Sequence, residues 1–164
     1  MNRISALFAQ ATEPVLNVYT TAGFPRFEDT MTVLNALQAG GVDIIEVGMP
    51  YSDPVADGET IQLSNQAALE QGMSVAHLFA QLKDMRKTIT VPVLLMGYIN
   101  PVLQYGVEAF CAKCAEIGVD GLILPDLPMV EYEASYREIF EKYGLYNILL
   151  ITPQTNDERI RHID

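Results

Sequence analysis

Five short runs rich in β-branched residues begin near positions 15, 42, 93, 119 and 146, and helical patterns fill the intervals between them. The spacings are about 27, 51, 26 and 27 residues. Parallel strands need a crossover of a dozen residues or more, usually a helix. Intervals of this length therefore predict parallel β/α units joined by right-handed crossovers. Such an α/β chain can close into a (β/α)₈ barrel or open into a doubly wound sheet. No helix opens on Gly-x-Gly-x-x-Gly or Gly-x-x-x-x-Gly-Lys, which removes support from the nucleotide-binding forms of the open sheet.

The elements are read from periodicity. Ile4, Leu7, Phe8 and Ala11 place an amphipathic helix over 2–11, and Pro14 bars its continuation. A strand over 15–20 follows, then a helix marked by Phe27, Met31, Leu34 and Leu37 and stopped by Gly40-Gly41. The second strand covers 42–47. The doubled interval after it holds two helices, one over about 60–71 and one capped by Ser74. Strands are expected at 93–96, 119–124 and 146–151, with helices near 106–117, around Tyr132 to Tyr143, and from about 156 to Asp164.

With 164 residues, 49% apolar and 19% charged, the chain is expected to be a single domain over 1–164 with a packed core. A net charge of −11 argues against nucleic acid and anionic membrane surfaces as partners. The longest apolar run, near Val91 to Ile99, falls far short of the ~20 residues that span a bilayer. Two cysteines make no disulfide framework, which fits a cytoplasmic location. Cys111 and Cys114 form a Cys-x-x-Cys pair, but late in a helical pattern, where no dipole lowers a thiol pKa. Packing is the expected role of both. His77 and His162 stand alone on helices, and no metal site is expected.

The densest chemistry lies in Ile44-Ile45-Glu46-Val47-Gly48-Met49-Pro50-Tyr51-Ser52-Asp53-Pro54-Val55-Ala56-Asp57-Gly58. A buried strand carries one acid, Glu46, and then gives way to turn residues with two more acids. Loops at strand C-termini are where α/β folds place their sites. A purely structural Glu46 would pair with a buried Arg or Lys. Asp57, read without its neighbours, is a loop or N-cap acid, and Asp53 in Ser-Asp-Pro is a turn former.

This stretch closely resembles the tryptophan synthase α-subunit family, which carries a strand Glu, a Gly and an aromatic-Ser-Asp-Pro-x-Ala-Asp-Gly loop. Thr21-Ala22-Gly23-Phe24-Pro25, Met96-Gly97-Tyr98-Ile99-Asn100-Pro101 and Pro125-Asp126-Leu127-Pro128 match further family positions in order. The resemblance covers essentially the whole chain and implies the (β/α)₈ barrel. It implies a carbon–carbon lyase that cleaves indole-3-glycerol phosphate to indole and glyceraldehyde 3-phosphate, with no cofactor of its own. The family's acid/base falls on Glu46 and its second carboxylate on Asp57. Tyr19, Met96 and Tyr98 fall on positions lining the indole pocket. Asp53, Asn100, Asp126 and Pro128 fall on the face toward a β-subunit, which uses pyridoxal phosphate and receives the indole in an α2β2 assembly.

The chemistry suits these residue types. One carboxyl can protonate the indole ring carbon and take the side-chain hydroxyl proton if desolvation raises its pKa. Glu46, between Ile45 and Val47, is expected to be dry. Asp57, in a polar loop, is expected to be solvated and ionised so that it can accept the indole N–H. Family members run to roughly 250 residues. On the resemblance, the sequence through Asp164 supplies about five β/α units and an incomplete barrel, and the phosphate-holding loops fall later. Activity of this segment alone is expected to be slight or absent. The alternatives are a docking module for a β-subunit without catalysis, or another barrel lyase or isomerase acting on a phosphorylated substrate.

Overall fold

The computed structural model describes residues 2–53 and 57–163, the side chain of His162 excepted. Five parallel strands form one sheet in the order β1-β2-β3-β4-β5: β1 Asn17–Thr21, β2 Ile44–Gly48, β3 Val93–Met96, β4 Gly121–Ile123 and β5 Tyr146–Asn147. Sequential order decides between the two expected architectures. A doubly wound sheet reverses direction at a switch point, sending helices to both faces. Here every right-handed crossover turns the same way, so the connecting helices stack on one face, as in the outer ring of a barrel.

Those helices are α2 Thr30–Ala39, α3 Glu59–Glu70, α4 Val75–Leu82, α5 Ile99–Tyr105, α6 Val107–Ile117, α7 Met129–Glu131 and α8 Arg137–Lys142. Alternation along the strands separates two apolar layers. Ile45, Val47, Val93, Leu95 and Leu122 meet Leu34, Phe79, Phe110 and Phe140 in the main core beneath the helices. Ile44, Leu94 and Ile123 point the other way and pack against Ile4 of the N-terminal helix α1, Arg3–Gln10. Asn2 fastens that helix. Its side-chain oxygen caps the Ile4 N–H, while its amide donates to the carbonyls of Asp120 (2.7 Å) and Gly144 (3.0 Å).

Several boundaries differ from the sequence reading. The helix expected from Phe27 opens with a 3₁₀ turn, Phe27–Asp29. Gly97 to Pro101, read as loop, leads into α5, because Pro101 sits in a first turn where its missing N–H costs nothing. The helix around Tyr132 is broken by a π turn over Tyr132–Tyr136. The largest correction is β5, which spans two residues in place of six. Ile148 N–H still reaches the Leu122 carbonyl (2.8 Å), and paired register with β4 ends at Asn147. The last helix is α9, Asp157–Ile163.

Candidate active site

The strand C-termini carry the expected loops. After β2 the chain runs through Met49, Pro50 and Tyr51; Pro54, Val55 and Ala56 of the loop lie outside the described residues. Met49 N–H donates to the Met96 carbonyl (2.7 Å), tying this exit to the end of β3. A tight cavity of about 30 Å³ sits there, lined by Tyr19, Met49, Asp57, Asn65, Met96 and Tyr98, with Gly97 and Pro125. Four of the five residues read as catalytic or substrate-binding thus meet around one space. It has room for about one water.

Glu46 does not line that cavity. It lines a larger one of about 620 Å³ on the inner face, with Asn17, Ile44 and Leu94 of the sheet and Ile4 and Phe8 of α1. The link between the two spaces is Tyr19, which lies opposite Glu46 in the β1–β2 register. Burial pushes the Tyr19 phenol up, a hydrogen bond from Thr21 opposes this, and the charges of Asp57 and then Glu46 push it up further. Tyr19 is thus paired in register with Glu46 and shares the smaller cavity with Asp57.

Gly48 makes that placement possible. A Cβ there would sit within 2.5 Å of Tyr19 Cζ and 2.8 Å of Cε2, so the ring lies over bare backbone. Thr21 Oγ1 donates to the Tyr19 hydroxyl (3.4 Å) and shares a hydrogen bond with Ser64 Oγ (2.7 Å), which in turn reaches the Ile61 carbonyl (2.9 Å). This chain of hydroxyls fixes α3 against β1 beside the cavity.

Both acids are intermediate in burial, so Glu46 is wetter and Asp57 more covered than the sequence reading expects. Ile45 and Val47 enter the helix-side core, so Glu46 between them must point to the inner face. Among the described residues that face is covered chiefly by α1, and Glu46 is half-buried there, not dry. Asp57, placed in a polar loop, is instead drawn partly under cover, and burial raises its carboxyl pKa. Among the described residues Glu46 makes no ion pair, and no Lys, Arg or His lines its cavity. Its carboxylate accepts a short hydrogen bond from Asn17 Nδ2.

Asp53, Asn100, Asp126 and Pro128 are exposed on loops or helix starts at the same end of the sheet. Asp53 accepts from Ser52 Oγ (2.7 Å), and Asn100 reaches the Tyr51 hydroxyl at 3.5 Å. Tyr51 and Tyr98 pack ring to ring at 5.0 Å. Asp126 accepts from Ile99 N–H (2.9 Å) and so caps α5 from the neighbouring loop. Asp53 and Asn100 share an open groove of about 500 Å³ with Pro50, Tyr51 and Tyr105.

Sequence reasoning missed Asn65, Met49 and Asn17. Asn65 is 3% exposed, and its Oδ1 has no hydrogen-bond partner among the described residues. The signal was available: Ser64, Asn65 and Ala68 occupy the buried side of a helix, where polar residues are unusual. Cys111 and Cys114 are both fully buried in the core. Burial, then the Glu108 charge, pushes the Cys111 thiol up to about 12, and Cys114 rises as well; both fit packing. No group of three metal-type side chains is placed to hold an ion, and no helix is long and apolar enough to cross a membrane, among the described residues.

Comparison with known proteins agrees with this geometry. The family described as tryptophan synthase alpha chain matches residues 6–164. A tryptophan synthase alpha chain of Flavobacterium johnsoniae is 56% identical over all 164 residues, and one of Christiangramia forsetii is also 56% identical. The chain spans 64% of the length of each of these curated relatives. The crystal structure of tryptophan synthase subunit alpha from Legionella pneumophila superposes with a TM-score of 0.91 at 39% identity, covering 100% of this chain and 64% of that one. Tryptophan synthase from M. tuberculosis in its aminoacrylate-bound form gives 0.91 at 34% identity, covering 99% and 66%. Fold, strand order and matched residues lead to one conclusion: the chain belongs to the tryptophan synthase alpha chain family and contains the first five β/α units of its (β/α)₈ barrel.

Proposed function

We propose that this chain forms the first part of a tryptophan synthase α-subunit, a carbon–carbon lyase that cleaves indole-3-glycerol phosphate to indole and glyceraldehyde 3-phosphate. The observation that carries the proposal is Tyr19, opposite Glu46 in the β1–β2 register and lining one cavity with Asp57, Met96 and Tyr98. Glu46 protonates the indole ring carbon and takes the proton of the side-chain hydroxyl as the C–C bond breaks. Asp57 accepts the indole N–H. Partial burial suits it to that task, because a carboxylate in lower dielectric binds a developing positive charge more strongly. Tyr19, Met96 and Tyr98 supply apolar and aromatic surface for the ring.

The reaction needs no cofactor held by this chain. The exposed rim with Asp53, Asn100, Asp126 and Pro128 is the proposed docking face for a β-subunit, which carries pyridoxal phosphate and takes the indole in an α2β2 assembly. The test uses a protein of the relatives' full length. Glu46→Gln is expected to abolish indole release while leaving association with a β-subunit intact. Retained cleavage would overturn the acid/base assignment, whereas β-subunit association with no cleavage by the unsubstituted protein would favour a docking module.

A further inference from the structure

Asn17 opens β1 and falls on the same side of that strand as Tyr19, two residues on. Register sets Asn17 opposite Ile44 and Tyr19 opposite Glu46, so the Asn17 amide lies one step diagonally from the Glu46 carboxylate. Its Nδ2 donates to Glu46 Oε1. Among the described residues this is the hydrogen bond that the carboxylate receives, and Glu46 lines the inner cavity.

We infer that Asn17 is a positioning residue for Glu46: its amide fixes one carboxylate oxygen and leaves the other for proton transfer. The inference rests on the acid/base reading of Glu46 given above. The surroundings explain why a neutral donor stands there. The titratable groups facing Glu46 are Tyr19 on β1 and Glu13 in the connection after α1, with Asp57 beyond Tyr19. The faces offered by α1 and β3 are Ile4, Phe8, Ala11 and Leu94, all apolar. Without Asn17 the carboxylate would meet apolar surface and other acidic groups, with nothing to orient it. A lysine or arginine would orient it too, but would hold it as the carboxylate, whereas an acid/base must gain and lose a proton in each turnover. An amide orients at a smaller bias.

The test uses a protein of the relatives' full length, with indole-3-glycerol phosphate as substrate. Asn17→Val suits a β-strand and removes the donor. kcat should fall about 10- to 100-fold, the loss of one hydrogen bond to a charged group, with KM unchanged within about twofold. Asn17→Asp keeps the shape but sets a second carboxyl against the first. It should move the acidic limb of the kcat/KM profile to higher pH, because two adjacent carboxyls share a proton. A merely structural Asn17 would alter the melting temperature without moving that limb. Full kcat in Asn17→Val, or an unmoved limb in Asn17→Asp, would overturn the inference. Glu46→Gln separates the two readings. If it stays active, the acid/base assignment falls; if it is inactive while Asn17→Val is unimpaired, only the role of Asn17 falls.

Discussion

Asp120 at the N-terminal side of β4 is 3% exposed and joins four segments of the chain. Its carboxylate accepts from Arg86 Nη2 at 2.6 Å, from Arg3 Nη1 at 3.0 Å and from Val93 N–H at 2.9 Å, while its carbonyl takes the Asn2 amide. Burial lowers the Arg86 pKa to about 10 even though Asp120 opposes the shift, so the folded state carries that guanidinium at a net electrostatic cost. Asp120→Ala would leave Arg86 without its anion and strand the Val93 N–H. Breaking one side of a buried pair costs about 3–5 kcal/mol. Arg86 keeps the carbonyls of Gly118, Ile89 and Val91, which continue to solvate it and place the expected loss near the lower end, about 3 kcal/mol. Equilibrium urea unfolding followed by far-UV circular dichroism should then lose about 1.5 M in midpoint at an m-value near 2 kcal/mol/M. The control is Lys142→Ala, which breaks an ion pair with Glu108 that is 59% and 60% exposed and should cost less than about 1 kcal/mol. Equal effects of the two substitutions would refute the argument that burial, and not ion pairing as such, makes Asp120 important.

Gly48→Ala should force the Tyr19 ring off β2, since its Cβ would meet Cζ at 2.5 Å; the expected cost is about 1–3 kcal/mol in thermal or urea unfolding. Tyr19→Leu in the same background should recover part of that loss, and no recovery would mean that the strain lies elsewhere. Asp57→Asn should stabilise the fold slightly at neutral pH, by less than about 1 kcal/mol because the group is partly solvated. The sign follows from linkage: a folded pKa raised above the unfolded one makes the ionised form the costly one, so the gain should shrink as pH falls through the folded value. Urea midpoints of both proteins across pH 3–8 would test this, and a gap that widened on acidification would reverse the assignment.

Element identity was legible where periodicity was long and punctuation strong. Gly118 ends α6 in the left-handed conformation at φ 85°, and Ser74 caps α4 by accepting the His77 N–H, as their positions in sequence predict. Strand 93–96 matches to the residue. Misreadings came where a tertiary partner sets the outcome. The apolar run 146–151 reads as a strand, but its extent is set by pairing with β4, which ends at Asn147 opposite Leu122. Start of α5 depends on a cap from Asp126, 27 residues away, which no local pattern announces. Asn17 was invisible for the same reason: its significance lies in the register between β1 and β2.

The intermediate burial of both Glu46 and Asp57 follows from the same distinction. Alternation tells which layer a strand residue enters, and it correctly separates Glu46 from Ile45 and Val47. Whether that layer is dry depends on what covers it, and the sequential strand order sends every crossover helix to the other face. The inner face is left to α1 and its small cluster around Ile44, Leu94 and Ile123, with about 620 Å³ of open space beside them. An acid aimed into that space keeps access to a ligand, which a carboxylate sealed in the helix-side core would lose. Asp57 gains partial cover because it lines the smaller cavity beside Tyr19 and Asn65. Strand alternation thus sets Glu46 in the inner layer and not in the helix-side core, and the inner layer is where a group that must reach a substrate twice in one turnover belongs.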